Sequence, residues 1–244
     1  MIAQAAHIPV HLGSMPDSVA IALSEFEEFA PGDVIAINDP FMGGTHLPDI
    51  TLISPIFVND EHFGFAANRA HHADVGGMSA GSMPVATEIY QEGVIIPPIK
   101  LWEGGHPNRA ALALVLRNVR TPDERRGDLA AQVAANRTAD RRIAELVERS
   151  GRANVEAHID ELIEYAERIT RATIQEIPDG TYEFTDYLDD DGVSDTPIAI
   201  KATVIVEGSE LTVDFHGSDP EARGSINAVA SVAKSAVFYI VRCL

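Results

Sequence analysis

The chain has 244 residues, 45% of them hydrophobic, and a formal net charge of −19. That length carries a sizeable core, and the deficit of basic charge excludes a phosphate-reading nucleic-acid surface. A single cysteine, Cys243, excludes an internal disulfide framework and any multi-cysteine zinc site, so metal chemistry here must use His and carboxylates.

No run of about 18 apolar residues offers a membrane span, and the opening MIAQAAHIPVHLG lacks the charged start and small-residue cleavage site of a signal peptide. A soluble, cytoplasmic protein is expected, with no membrane partner. Lysine is scarce: Lys100, Lys201 and Lys234 stand among 18 basic residues, while acids cluster as at Asp189-Asp190-Asp191. Dense carboxylates with little Lys suggest a halophilic surface; an ordinary acidic protein is the alternative.

In chain order, PDSVAIALSEF predicts a short helix starting near Asp17 or Ser18. GDVIAIND, ITLISPIFV and HFGFAANRA alternate with Gly, Pro and Asp turn signals and read as strands. These belong to a β-rich segment, 1–120. From Thr121 a cap signal, a Pro at the first helical position and apolar residues at three- and four-residue spacing predict a helix interrupted at Gly151. A second helix follows, with Ile159, Ile163, Ala166, Ile169 and Ile174 on one stripe, so 121–178 is expected to be a helical hairpin. Across 179–244, GTYEFTDYLD, PIAIKATVIVEG and SELTVDFHGSD predict an antiparallel meander turning at Asp190-Asp191-Gly192 and Glu207-Gly208-Ser209. A final helix, capped by Ser225 or Asn227, completes an α+β fold without the strand–helix alternation of a doubly wound sheet. The apolar start and the stop at VFYIVRCL suggest ends covered by a partner or by further sequence.

Chemistry concentrates at two strand ends. NDPFMGGTHLPDI offers His46 and Asp49 just before a strand, and NRAHHAD offers His71, His72 and Asp74 just after one. Two loops of imidazole and carboxylate are what an open two-His, carboxylate metal site requires; the alternative is that these groups only hydrogen-bond tight turns. Adjacent strand residues face opposite sides, so one of His71 and His72 is expected to point inward. Gly43-Gly44 and Gly76-Gly77 lack the Lys and following helix of a phosphate loop, so ATP is not bound here by that means.

HIPVHLGSMP, GDVIAINDPFMGGTHLPDITLISPIF, NRAHHADVGGMSAGSMPVATEIYQEGVIIPPIKL and DFHGSDPEARGSINAV together resemble the hydantoinase B / 5-oxoprolinase family. That family comprises the B subunits of ATP-dependent N-methylhydantoinases, the corresponding half of 5-oxoprolinases, and the related alpha subunit of acetone carboxylase. The resemblance implies an N-terminal-half fragment, with a metal (Mn, Zn or Fe) held by His46, Asp49 and His71. A fourth ligand, a Glu, would lie before Met1. It also implies ATP-dependent opening of a small cyclic amide such as hydantoin or 5-oxoproline, with ATP bound by a hydantoinase A-type partner subunit. Carboxylation of a small ketone, or a non-catalytic partner-binding fragment, are the alternatives.

Within that frame Asn38 and Asp39 would orient water or the ring nitrogen, or simply form a turn. Glu88, four residues before Glu92, would replace the missing carboxylate or act as general base. Arg69 would clamp a substrate oxygen bidentately, with His72 and Asp74 also on the substrate side. His7 and His11 would be buried structural groups or line the same cleft, and His216 and Asp219 would form a turn or lie on the substrate side.

Overall fold

The computed structural model describes residues 3–4 and 8–244. Its first sheet grows from a β-branched strand, β1 (Val34–Ile37), buried at all four positions because helices cover both faces. Two longer strands, β2 (Asp49–Val58) and β3 (Glu61–His71), form a hairpin whose turn residues Asn59 and Asp60 have φ of 52° and 63°. These left-handed values match the right-handed strand twist, and Asn and Asp tolerate them better than other non-glycine residues. β4 (Ile99–Glu103) and the short β5 (His106–Pro107) complete an all-antiparallel sheet of order β3-β2-β1-β4-β5.

One face of this sheet carries α1 (Ser14–Glu25), with Ala22 against Ile35, Ile37 and Ile53. The other carries α2 (Arg109–Arg117) and α3 (Pro122–Ser150), whose Leu112, Val115, Leu129 and Val133 pack on Val34, Ala36, Ile50 and Leu52. Full burial of each such side chain stabilises by about 1.5–3 kcal/mol. A polar seam fixes the register of α3 on the hairpin. Gln132 Nε2 donates to the Ile50 carbonyl at 2.9 Å and Asn136 Nδ2 to that of Leu52 at 3.1 Å, while Asn68 Nδ2 donates to Asn136 Oδ1 at 2.7 Å.

At Gly151 (φ 79°) the chain breaks into α4 (Arg152–Ile174). Val147, Val155 and Ile159 share a cluster beside that junction, but Ile163 and Ile169 further along α4 are about half exposed. The two helices therefore share a face only near Gly151, and most of the expected stripe is left uncovered among the described residues. The second sheet is the expected antiparallel meander of β6 (Gly180–Leu188), β7 (Ile198–Glu207) and β8 (Glu210–Asp214).

The last helix, α5 (Ala230–Cys243), starts later than Ser225 or Asn227 and has no side-chain cap. Asn227 instead bonds Ala222 and Gly224, and Ser225 bonds Pro84 and Ala86. α5 returns to the first sheet: the Gly13 N–H donates to Ser235 Oγ at 2.8 Å, Ser231 Oγ donates to the Gly44 carbonyl at 2.8 Å, and Lys234 pairs with Asp17 at 2.9 Å. The chain's end thus braces the loop before β2. Among the described residues no helix is long and apolar enough to cross a membrane.

Candidate metal centre

The β2–β3 register builds the site. Asp49 is the first residue of β2, His71 is the last of β3, and the two are cross-strand partners. Near the turn Phe57 pairs with His62 and Ile56 with Gly64, leaving Phe63 as an extra residue. This bulge shifts the register by one. Without it Ala70 would sit opposite Asp49, and the histidine would be lost from the pair.

The Asp49 carboxylate, 2% exposed, receives Thr45 Oγ1 at 2.6 Å and His46 Nδ1 at 2.9 Å, and its Oδ1 lies 3.4 Å from His71 Nδ1. His46 Nε2 and His71 Nδ1 are 3.1 Å apart. Burial alone would raise the Asp49 carboxyl, but the hydrogen bonds from His46 and Thr45, with the nearby charges of His46 and His11, bring it down to about 2. It is a carboxylate at neutral pH. One donor atom from each of His46, Asp49 and His71 lies within 4.8 Å of the others. Two imidazoles and one ionised carboxylate, with His46 and His71 opening to solvent, form a donor set suited to a first-row divalent ion that keeps open positions.

Behind this trio sits Arg69, whose Nε donates to Thr51 Oγ1 at 2.7 Å and whose Nη2 donates to Ser18 Oγ at 2.8 Å and the Gly43 carbonyl at 3.3 Å. Its Nη1 bonds Ser14 Oγ and approaches His11 Nδ1 at 3.3 Å. Burial pulls the guanidinium down to about 10, with the Asp49 charge opposing. Arg69 therefore remains a cation that balances Asp49 while tying β3 to the start of α1.

A profile of the hydantoinase B/oxoprolinase family matches residues 1–244. The chain belongs to that family. It is 38% identical to the caprolactamase subunit beta of Pseudomonas jessenii over 98% of this chain and 41% of that one. An uncharacterized protein of Methanocaldococcus jannaschii is 39% identical over 100% of this chain and 44% of its own length. The crystal structure of the ATP-dependent caprolactamase from Pseudomonas jessenii superposes with a TM-score of 0.92 at 36% identity, over 98% of this chain and 41% of that chain. A nucleotide-free acetone carboxylase structure shares the fold, with a TM-score of 0.85 at 21% identity over 96% of this chain and 33% of that chain. The chain thus spans less than half the length of these relatives.

Against this hydantoinase B frame, the other residues expected at the site fall in different places. Asn38 is wholly buried: its Nδ2 donates to the carbonyls of Leu47 at 2.7 Å and Val94 at 2.9 Å, and its Oδ1 accepts from Ile96 N–H at 2.6 Å. With its amide consumed by three backbone groups, it orients no water or ring nitrogen; it clamps two loops together. Asp39 caps the 3₁₀ turn Pro40–Met42 through Phe41 N–H at 2.9 Å, a turn-forming role. Arg69 spends its donors on protein oxygens and His11, which takes them away from a substrate clamp.

His72 points to the opposite side of the sheet from His71, 2% exposed, with Nε2 2.9 Å from Gln132 Oε1; burial lowers its pKa. Asp74 is buried against Arg120 at 2.8 Å, joining the loop after β3 to the approach to α3. Neither lies open to a substrate at the His46 side. Asp219 clasps Ala199 and His216 bonds Asp214 through backbone groups, as a turn requires. His7 lies outside the described residues.

Thr45 was not read from the sequence; it and His11, the latter 3.9 Å from Asp49 Oδ2, support the carboxylate. Glu88 is exposed, whereas burial pushes the Glu92 carboxyl up and the His46 imidazole pulls it the other way. A 3₁₀ turn of three residues, Ile89–Gln91, separates the two acids. At three residues per turn, positions four apart do not share a face.

Proposed function

We propose that this chain forms part of the B-type subunit of an ATP-dependent cyclic amide hydrolase, opening an activated hydantoin or 5-oxoproline-type ring at the His46, Asp49 and His71 cluster. The observation that carries the proposal is the convergence of those three donors at one solvent-open edge of the sheet. A divalent ion held there (Mn, Zn or Fe) supplies Lewis acidity for an amide carbonyl. The chain's own residues do the rest. Thr45 and His11 keep Asp49 ionised and oriented, the β2–β3 register holds His71 against it, and the Asn38 clamp sets the distance between the two flanking loops. ATP is bound and spent on an A-type partner subunit, consistent with the absence of a phosphate loop here and with relatives described as subunits. Likeness to a caprolactamase at 36% identity supports amide opening over ketone carboxylation, where the likeness is of fold alone.

The test is ring opening of caprolactam, hydantoin and 5-oxoproline with ATP and the partner subunit. Activity on at least one ring, abolished by His46→Ala in a folded complex, is expected. Equal activity in the variant would refute the assignment, and so would carboxylation of acetone with no ring opened.

A further inference from the structure

We propose that Glu92 is the catalytic carboxylate that holds the attacking water opposite the His46, Asp49 and His71 cluster and takes its proton. The proposal rests on the hydrolase reading above and names a residue which that reading leaves open.

The loop that carries Glu92 is fixed at both ends against the loop that carries His46. Asn38 Nδ2 bridges the carbonyls of Leu47, next to His46, and Val94, two residues from Glu92. On the other side Met78 N–H donates to the Gln91 carbonyl at 2.7 Å and Val94 N–H to the Val75 carbonyl at 2.8 Å. The backbone at Gly77 (φ 80°) approaches so closely that a Cβ would lie 2.5 Å from the carbonyl oxygens of both Gln91 and Glu92. Only glycine fits there, so Glu92 sits on a braced turn rather than a loose loop.

Its side chain is half-buried, and among the described residues it makes neither a hydrogen bond nor an ion pair. The neighbouring acids are already committed: Asp49 to Thr45 and His46, Asp39 to its cap, Asp74 to Arg120. Glu92 feels the charge of His46 yet lies beyond direct ion-pair reach of it and outside the three-donor cluster.

The chemistry balances on that one group. On a ring that ATP has phosphorylated at the amide oxygen, the water oxygen bonds to the ring carbon as Glu92 accepts its proton, and the C=N π pair moves onto nitrogen, which takes that proton from Glu92. The remaining hydroxyl then loses its proton to the nitrogen as the carbonyl forms and the C–N bond breaks, leaving an amine and an acyl phosphate. A second water hydrolyses the acyl phosphate to carboxylic acid and phosphate, and Glu92 ends as it began.

The experiment uses the full-length protein with its partner subunit, ATP and a ring that the wild type opens. Glu92→Gln is expected to lower kcat by about 100-fold or more, with KM and bound metal unchanged, and Glu88→Gln to match wild type. Glu92→Ala should regain activity with added formate, a rescue that a purely structural role would not show. A kcat for Glu92→Gln within about threefold of wild type, loss of metal along with activity, or failure of formate to rescue overturns the proposal. A wild-type complex that opens none of the rings overturns the hydrolase reading and this proposal together, while an active wild type beside an active Glu92→Gln overturns this one alone.

Discussion

Replacing Asn38 by Ala separates a clamp from a catalyst. The native amide satisfies three buried backbone groups, Leu47 C=O, Val94 C=O and Ile96 N–H, at 2.7, 2.9 and 2.6 Å. Truncation leaves each without its partner in a site that is 0% exposed. An orphaned buried polar group costs about 1–3 kcal/mol. Water entering the vacated space relieves part of that, so the net loss is expected at about 3–6 kcal/mol. In urea this moves the unfolding midpoint down by roughly 1–2 M for a chain of this size. Asn38→Asp is expected to be no better, because a carboxylate would then face two carbonyl oxygens. Urea titration followed by far-ultraviolet circular dichroism gives the number, and isothermal titration with Mn²⁺ should show weakened binding, since the clamp spaces the His46 loop. A loss below about 1 kcal/mol with ring opening abolished would refute the reasoning and return Asn38 to the chemistry.

Two further outcomes are expected. In the metal-free chain Asp49, held at about 2 against an ordinary 3.8, contributes stability present above pH 4 and lost as the pH falls toward 2. The contribution is about 2 kcal/mol. The stability gap between wild type and Asp49→Asn should therefore close across that window, and a gap independent of pH would contradict the geometry. Inserting one Ala after Gly64, with the Phe63 bulge kept, places Ala70 opposite Asp49, so Mn²⁺ affinity should fall by at least tenfold; unchanged affinity in a folded protein would show that the register does not set the site.

Much of this architecture was legible in the chain. Alternating apolar residues around Asn59-Asp60 mark the β2–β3 hairpin, and strand alternation required that His71 and His72 part company, as they do. Local pattern stops short where partners are distant in sequence. Asn38 looks like any turn residue until Leu47, Val94 and Ile96 surround it. Pro97-Pro98 masks the start of β4, and α2 is only nine residues long between two loops. Glu88 and Glu92, four residues apart, flank a single 3₁₀ turn, so their spacing does not put them on one face. The α4 stripe reads as buried, yet Ile163 and Ile169 have nothing over them among the described residues.

Metal content of the purified chain, measured by inductively coupled plasma mass spectrometry after equilibration with Mn²⁺, Zn²⁺ or Fe²⁺ and removal of excess, bears most directly on the central claim. One ion per chain is predicted for the wild type, falling to background in Asp49→Asn and His71→Ala while Glu88→Gln keeps its ion. No retained ion in the wild type, or the same stoichiometry in all four proteins, would contradict the assignment of His46, Asp49 and His71 as a metal centre.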